Sequence, residues 1–365
     1  MAEPIPPLAN RVKRKSTTTV GSANRPGIIP SRAFTMPEAP FPPLTFAPIF
    51  KSLIWGGRRL GSILHKPIPL GDHIAESWEI ADHRDDVSRV NAGRFTGASL
   101  RDLIRHRGAE LLNKGRSSTR PDQFPLLVKF LDANDVLSVQ VHPDDERAPR
   151  LADDNGKSEA WVIVHAEPGS LIYAGLNPGV TREQFAEALG TSRIEPLLHR
   201  FEPKVGDCIM IPAGTVHAIG AGIVLAEIQQ MSDATFRVHD WERLGNDGNP
   251  RPLHPFEALE STDFAAGPID PIVTQAIPIP GGCREQLATC PYFALERLTL
   301  NAPALVGRDD RFTILIALQG DAEVIHAGDS TPLRFGQTLL LPASTGPCEV
   351  VPRNDASVIL TCVVP

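Results

Sequence analysis

The sequence predicts a mainly β protein with a few short helices. Short apolar segments bounded by glycine, proline and aspartate recur along the chain, and most of them are too short to form a helix. The clearest is Cys208–Ile211, which lies between Gly206–Asp207 and Pro212–Gly214. Residues 99–112 and 181–189 instead show helical spacing of apolar residues, each after an N-cap signal. We therefore expect a β fold in which the helices are packing elements.

The beginning of the chain differs in composition from the rest. Residues 1–35 contain six basic side chains and one acidic side chain, and they are rich in proline, serine and threonine. They lack the apolar segment of a secretory signal. We interpret 1–40 as a disordered or extraneous tail, with the ordered domain beginning near Phe46. An organelle-type leader and a start at Met36 are the alternatives.

Strand candidates follow this tail. Ile49–Trp55 is an apolar segment closed by a Gly-Gly turn, and Ala75–Ile80 is a short strand whose acidic side chains we expect to be exposed. Leu126–Leu131 and Val136–His142 flank the turn Asp132–Asp135, a spacing that is typical of a β-hairpin. The second of these strands supplies candidate metal ligands.

The C-terminal part repeats the pattern of the earlier strands. A Pro-Gly linker at 278–282 is followed by strands predicted at 293–300, 312–318 and 322–325. A second strand-and-turn segment then keeps the spacing of the first and lacks its histidine: Gly336 matches Gly206, Pro342 matches Pro212, Ser344 matches Gly214 and Pro347 matches His217. We predict a first domain at 41–275 and a second, metal-free domain at 283–365.

Composition and charge exclude several classes of protein. The net charge is −7 and the basic surplus is confined to the first residues, so the folded part lacks the positive charge that is typical of nucleic-acid binding. No apolar run approaches the roughly 20 residues that cross a bilayer, so we expect no membrane partner. Five scattered cysteines without a Cys-x-x-Cys pair favour reduced thiols and a cytoplasmic location. No feature of the sequence predicts an oligomeric state.

Four residues with metal-ligand chemistry lie at strand positions next to turns. Alternation along a strand places Gln140 and His142 on one face. Glu159 begins another apolar strand, and His217 follows the turn after Cys208–Ile211. Two imidazoles, a carboxylate and an amide oxygen suit one divalent ion such as Zn²⁺, although Mn²⁺, Co²⁺ and Fe²⁺ share such ligands. The alternative is two structural histidines and a glutamate in an ion pair.

Several motifs, in this order, resemble those of type I mannose-6-phosphate isomerase, a family of the cupin superfamily. They cover residues 138–145, 156–161, 211–219 and 227–241. The likeness begins near Phe46 and extends to the C-terminus. The chain lacks a large helical insertion that longer members of the family have, so the resemblance is to the short bacterial type. It implies two jelly-roll (cupin) β-barrels, of which only the first holds a metal.

The resemblance implies an enzyme that interconverts mannose 6-phosphate and fructose 6-phosphate. Such a reaction moves a proton between C1 and C2 through a cis-enediol, whose negative charge a metal and nearby cations stabilise. The resemblance suggests Arg237 as an essential cation, and Lys157 and Glu227 as groups that transfer protons or bind hydroxyls. The possible sugar contacts are Trp55, Trp78, Glu79 and His239, of which His239 replaces a tyrosine common in the family. The two tryptophans could instead be structural aromatics that cap a barrel end.

Other interpretations stay open at this point. A cupin oxygenase that uses iron would share the fold and much of the ligand set, and it would consume oxygen. A non-catalytic cupin would bind a sugar phosphate without turnover. Lys157 could be an exposed turn residue, and Arg237 could belong to a surface ion pair. The expected partner is a small hexose phosphate.

Overall fold

The computed structural model describes residues 37–71, 73–115 and 120–365. The predicted tail at 1–40 lies almost entirely outside these residues. Strands dominate the described chain and the helices are short, so the prediction of a mainly β protein is confirmed. No helix in the described ranges is long and apolar enough to cross a membrane.

The first part of the described chain alternates strands with short helices. Its strands are β1 (Ile49–Lys51), β2 (Glu76–Ile80), β3 (Asp82–His83), β4 (Asp86–Val87), β5 (Leu126–Ala133), β6 (Val139–Val141), β7 (Glu159–Ala166), β8 (Ile172–Leu176), β9 (Leu198–Phe201), β10 (Cys208–Ile211), β11 (His217–Ile219), β12 (Ile223–Gln230) and β13 (Phe236–His239). Its α-helices are α1 (Arg59–Ser62), α2 (Leu100–Leu112), α3 (Ala148–Leu151), α4 (Arg182–Ala188) and α5 (Pro255–Ser261), and a 3-10 helix covers Ser192–Leu197.

The last part of the chain is almost entirely β. Its strands are β14 (Ile277–Ile279), β15 (Gly282–Thr289), β16 (Ala294–Leu300), β17 (Ala304–Val306), β18 (Thr313–Gln319), β19 (Ala322–His326), β20 (Asp329–Leu333), β21 (Thr338–Leu341), β22 (Cys348–Pro352) and β23 (Ser357–Val363). A short 3-10 helix at Ala343–Thr345 follows β21. The strands predicted at 293–300, 312–318 and 322–325 are confirmed to within one or two residues.

Two sheets from the first part of the chain share one apolar core. The six-stranded sheet has the order β1-β2-β5-β12-β7-β10, and the five-stranded sheet has the order β13-β6-β11-β8-β9. This core contains Leu131 and Trp161 of the larger sheet and Ile219 of the smaller sheet. It also contains Leu137, which lies just before β6. We call these two sheets the first sheet pair. Strands β3 and β4 form a separate two-stranded ribbon.

The second sheet pair has a similar organisation. Its six-stranded sheet has the order β14-β15-β16-β23-β18-β21, and its four-stranded sheet has the order β17-β22-β19-β20. Leu315 and Leu341 of the first of these sheets and Val324 and Val350 of the second lie in one core. A third core joins the two six-stranded sheets and includes Phe130, Ile314 and Leu360. None of the described sheets closes on itself, so the prediction of two jelly-roll barrels is not confirmed.

Local signals in the sequence predicted several elements correctly. Strand β10 has the predicted bounds, Cys208–Ile211, because glycine and proline turns limit it on both sides. Helix α2 begins after Ser99, whose Oγ accepts a hydrogen bond from the Asp102 backbone N–H at 3.1 Å. Thr181 and Gln184 form the expected capping box of α4. Each signal depends only on residues a few positions apart.

The predicted hairpin at 126–142 is wrong. Strands β5 and β6 follow one another in the chain but lie in different sheets. Strand β5 pairs with β2 and β12, whereas β6 pairs with β11 and β13. The segment at 134–138 therefore carries the chain from one sheet of the first sheet pair to the other. Both strands pair with strands that are distant in the sequence, and a local turn motif does not predict such pairing.

Candidate metal centre and catalytic residues

The turn after β10 carries His217 into the core of the first sheet pair. Gly214 in this turn has φ +87°, and a Cβ added there would lie 3.1 Å from atoms of Ser261 and Asp263. Its backbone N–H donates a hydrogen bond to the carbonyl of His142 at 2.9 Å. Glycine is the residue that adopts this conformation without strain. The turn therefore fixes His217, which is fully buried, relative to His142.

His142, Glu159 and His217 form a compact buried cluster. One possible ligand atom from each lies within 4.8 Å of the others. The Nε2 atoms of the two histidines are each 3.4 Å from a different oxygen of Glu159. The histidines extend from the smaller sheet of the first sheet pair and Glu159 from the larger. The two sheets thus bring three of the four predicted ligands together.

Backbone carbonyls orient both histidine rings. The Nδ1 atom of His142 lies 2.8 Å from the carbonyl oxygen of Ala234, and that of His217 lies 2.9 Å from the carbonyl oxygen of Thr215. A carbonyl only accepts, so each Nδ1 carries the proton and each Nε2 presents a lone pair to the cluster. Burial lowers the pKa of both imidazoles, to about 3 for His142, where the Lys157 charge adds to the effect. Both rings are neutral near pH 7, as metal ligands must be.

The chemistry of this cluster fits a divalent metal ion. Glu159 is 1% exposed, and neither of its carboxylate oxygens accepts a hydrogen bond of good geometry. Burial alone would raise the pKa of Glu159, but the Lys157 ammonium at 2.8 Å holds that pKa well below its usual range. A buried ionised carboxylate beside two inward lone pairs is a ligand set for a cation. His142, Glu159 and His217 could therefore hold a metal.

Gln140, the fourth predicted ligand, lies beside His217. The two residues are cross-strand partners in β6 and β11. The Gln140 side-chain nitrogen lies 3.2 Å from His217 Nε2. Rotation of the amide by half a turn would present its oxygen at this place instead. The prediction that Gln140 ligates a metal through oxygen is compatible with this position and stays a prediction.

Lys157 and Glu227 continue the polar cluster along the larger sheet. Lys157 is 4% exposed, so the alternative of an exposed turn lysine is wrong. Its ammonium lies 2.9 Å from His142 Nε2 and 4.0 Å from Glu227 Oε1. Burial raises the pKa of Glu227 to about 7, and the negative charge of Glu159 adds to the effect. Glu227 is therefore poised to gain or lose a proton near neutral pH.

Lys129 and Glu76 lie beside Glu227 on the larger sheet, and the sequence analysis missed both. With Glu227, Lys157 and Glu159 they form a row of alternating charges, which we call the charged row. Lys129 is the cross-strand partner of Glu227, and its ammonium lies 3.1 Å from Glu227 Oε1 and 3.4 Å from Glu76 Oε2. Burial lowers the pKa of Lys129, but the two carboxylates outweigh burial and raise it above its ordinary value. A lysine inside the apolar run Leu126–Leu131 was the available signal, because lysine is rarely fully buried without a partner. Glu76, expected to be exposed, is largely buried in this row.

Arg237 lies on the other side of Gln140 from His217. It is the cross-strand partner of Gln140 in β13. One guanidinium nitrogen donates to the carbonyl of Pro252 at 2.7 Å, while the buried Nε has no hydrogen-bond partner in the described chain. Burial lowers the pKa of Arg237, and the charge of Arg251 adds to the effect. Arg237 forms no ion pair with a described residue, so the alternative of a surface ion pair is not supported.

Of the four possible sugar contacts, only Trp78 adjoins the charged row. Its indole N–H donates to Glu76 at 2.6 Å, and Lys129 is its cross-strand partner. The remaining three contact other groups: Trp55 packs in the core of the first sheet pair, Glu79 pairs with Lys66 at 2.6 Å, and His239 packs on Trp241 with ring centroids 5.3 Å apart. Sugar contact by these four residues stays a prediction. Glu79, expected to be exposed, is 6% exposed.

Comparison with known proteins identifies the family. The family descriptions "Phosphomannose isomerase type I, catalytic domain" and "Mannose-6-phosphate isomerase, cupin domain" match residues 44–159 and 284–360. Mannose-6-phosphate isomerase ManA of Bacillus subtilis is 33% identical over 305 residues, which cover 83% of this chain and 94% of the relative. The chain belongs to the type I mannose-6-phosphate isomerase family. A mannose-6-phosphate isomerase of Streptococcus mutans is 32% identical over 290 residues, or 79% of this chain and 89% of the relative.

Solved structures agree with this family assignment. The crystal structure of the mannose 6-phosphate isomerase of Bacillus subtilis has a TM-score of 0.79 and 29% identity, and the match covers 87% of this chain and 99% of that chain. A phosphomannose isomerase mutant from Salmonella typhimurium has a TM-score of 0.73 at 18% identity, covers 88% of this chain and 100% of that chain, and shares the fold. The resemblance inferred from the motifs is therefore confirmed, and the family fold is that of the cupins.

Proposed function

We propose that the protein interconverts mannose 6-phosphate and fructose 6-phosphate. The observation that carries this proposal is a buried cluster of His142, Glu159 and His217 with Lys157 and Glu227 beside it. Family membership supports the same reaction, since the relatives from Bacillus subtilis and Streptococcus mutans carry the name mannose-6-phosphate isomerase. The substrate is a small hexose phosphate.

The proposed cofactor is one Zn²⁺ ion, and other divalent metals have compatible ligand chemistry. Gln140, His142, Glu159 and His217 would hold it. When bound, such an ion acts as a Lewis acid toward sugar oxygens and stabilises developing negative charge. The two sheets of the first sheet pair hold these ligands from opposite sides, and carbonyl groups fix both imidazole rings.

Glu227 is the proposed group that moves the proton between C1 and C2. The reaction removes a proton from one carbon and returns it to the next, so one group must act first as base and then as acid. A pKa of about 7 makes both forms accessible near neutral pH. Lys129 and Lys157, at 3.1 Å and 4.0 Å from Glu227 Oε1, place two ammonium groups beside the reacting carboxyl.

The cations around the cluster would stabilise the enediolate. Lys157 is buried between His142 and Glu227. Arg237 lies next to Gln140 and has one guanidinium N–H without a partner among the described residues. Fixed positive groups in a buried site stabilise developing negative charge more strongly than the same groups in water. Lys157 and Arg237 are therefore proposed to contact the open-chain sugar phosphate.

The finer features of the fold are part of the same proposal. Each sheet pair would form a jelly-roll barrel, with a catalytic domain at 41–275, a metal-free domain at 283–365 and a tail at 1–40. The shared cores of the two sheet pairs support this division. A cytoplasmic location is proposed because all five cysteines are free.

A coupled assay for fructose 6-phosphate tests this function. We expect turnover of mannose 6-phosphate by the metal-loaded protein, loss on chelation and recovery on adding Zn²⁺. The Glu227→Gln variant should lose about 10²–10⁴-fold in kcat with normal metal content. Glu296→Gln is the matched control in the second sheet pair and should keep full activity. Binding without turnover would indicate a non-catalytic protein, and oxygen consumption would indicate an oxygenase.

A further inference from the structure

A large cavity lies at one end of the second sheet pair, far along the chain from the proposed catalytic residues. Its volume is about 610 Å³, within the range of roughly 300–1,000 Å³ typical of small-molecule sites. Leu298, Ala304 and Val306 give it an apolar floor and belong to the core of this sheet pair. Polar side chains on the larger sheet form one wall. They are Gln286, Glu296, Thr313 and Thr361.

Strand register shows that this wall corresponds to the catalytic wall of the first sheet pair. Glu159 pairs with Ile211, the last residue of β10 before Pro212. Thr313 pairs with Leu341, the last residue of β21 before Pro342. Thr313 therefore occupies, in the second sheet pair, the place that the carboxylate ligand occupies in the first.

The correspondence extends across four strands. In the first sheet pair the cross-strand row is Trp161, Glu227, Lys129, Trp78. In the second sheet pair the row in the same strand order is Leu315, Thr361, Glu296, Gln286. The cavity is thus the counterpart of the catalytic cluster, with hydroxyl groups where the first sheet pair has Glu159 and Glu227.

Polar groups in this cavity have unused hydrogen-bonding capacity. Thr313 is 2% exposed, and its hydroxyl has no hydrogen-bond partner in the described chain. An unpaired buried hydroxyl is costly, so a ligand that pairs with it gains affinity. Thr361 is also buried, and the Glu296 carboxylate is 23% exposed and lies 3.5 Å from the Arg284 guanidinium. A carboxylate and two hydroxyls are groups that pair with the hydroxyls of a sugar or polyol.

The charges around the cavity balance. Arg284 lies beside Glu296, and Arg308 and Glu349 both line the cavity at exposed positions. Arg308 and Glu349 form no ion pair with a described residue. Two cations and two anions give no net attraction for a charged ligand. The balance favours an uncharged ligand.

We propose that this cavity of the second sheet pair binds a neutral monosaccharide or polyol through Thr313, Thr361 and Glu296. The apolar floor packs against the C–H face of the ligand, and the polar wall pairs with its hydroxyls. The site is separate from the cluster of His142, Glu159 and His217 in the first sheet pair and does not depend on the isomerase activity.

Binding of mannose and mannitol tests the site directly. Equilibrium dialysis with radiolabelled mannitol is performed on the full-length protein and on His217→Ala, which disables the catalytic cluster. We expect saturable binding to both proteins, with one site for mannitol that His217→Ala retains. Thr313→Val and Thr361→Val, which replace a hydroxyl by a methyl of similar size, should each weaken this binding about tenfold.

Thr338→Val is the matched control. Thr338 lies in the same six-stranded sheet, is 7% exposed and also has a buried hydroxyl without a partner in the described chain, but it lines a different cavity. Its variant should bind mannitol as the original protein does, within about twofold. Isomerase activity should be unchanged in all three threonine variants.

Two results would overturn the proposal. Mannitol binding that His217→Ala abolishes and that Thr313→Val and Thr361→Val leave intact would place the polyol in the catalytic cluster. Absence of binding up to about 10 mM mannose or mannitol, in protein whose isomerase activity is intact, would remove the site. Thermal unfolding of each variant shows whether it folds, and midpoints within about 4 °C of the original protein are expected.

Discussion

The two six-stranded sheets place different chemistry on equivalent strand positions. In the first sheet, acidic and basic side chains alternate from Glu76 through Lys129, Glu227 and Lys157 to Glu159. In the second sheet, Glu296 is accompanied by the hydroxyls of Thr313 and Thr361. The same backbone arrangement thus supports a buried charged cluster in one place and a nearly neutral cavity in the other. Function lies in these side chains and not in the fold.

The comparison also shows what a buried charged cluster requires. Each buried charge of the first sheet has a partner of opposite sign within 4.0 Å, because an unpaired buried charge is very costly. The second sheet avoids this cost by using hydroxyl groups. The alternation of signs in the first sheet is therefore a condition for its stability as well as for its chemistry.

Removal of a proposed metal ligand should have the largest effect on this contrast. We expect His217→Ala to lower isomerase turnover by about 10³-fold or more and to abolish stoichiometric Zn²⁺ binding, since the proposed Lewis acid is lost. The fold should persist, as judged by circular dichroism. Metal analysis and the coupled assay on the same sample provide the measurement. Full turnover by the His217→Ala variant after chelator treatment would contradict the metal-site assignment.

Removal of a cation from the charged row should have the next largest effect. Lys129→Met leaves Glu76 and Glu227 without the ammonium between them, so the free energy of unfolding should fall by about 3–5 kcal/mol. Urea denaturation measures this change. The double variant Lys129→Met/Glu76→Gln should recover part of the loss, because it removes one of the two like charges.

A partly exposed ion pair is the control for this prediction. Lys51 lies 2.6 Å from Asp86, with both side chains about a third exposed. Lys51→Met should cost about 1 kcal/mol or less, because solvent screens such pairs. Equal losses for Lys51→Met and Lys129→Met would show that the row has no special dependence on its internal cation.

Protonation of Glu227 should produce a smaller, pH-dependent effect. Its folded-state pKa of about 7 lies above the ordinary value of 4.5, so the folded protein holds this proton more tightly than the unfolded chain does. The resulting stability is complete below pH 4.5 and is lost as the pH rises to 7. Compared with the Glu227→Gln variant, the chelator-treated protein should lose on the order of 1–3 kcal/mol of its free energy of unfolding over this pH interval. Parallel stability curves for the two proteins would contradict the raised pKa.

The parts of the molecule that sequence analysis predicted are those with local causes. Strand β10 and helices α2 and α4 depend on turns and caps within a few residues, and they were predicted well. The failed hairpin at 126–142 depends on partners up to about a hundred residues away. Its two strands looked adjacent in the sequence and belong to different sheets.

The same distinction applies to the site. His142, Glu159 and His217 were predicted because their motifs carry ligand chemistry at strand ends, and the structure places these three together. Lys129 and Glu76 were missed because their role depends on cross-strand register with Glu227. The sequence shows which side chains a site contains more readily than it shows which of them contact one another, because the contacts depend on how the strands pair.

The hydrogen bond from Gly214 to the carbonyl of His142 joins the turn before His217 to His142, so it links two proposed ligands that lie far apart in the chain. Because a side chain at Gly214 would press on Ser261 and Asp263, any replacement there shifts the peptide that holds this bond. Both imidazoles would then lose their alignment together. The proposed metal centre should consequently fail as one unit, so that a substitution in this buried turn has the same effect as deletion of a ligand.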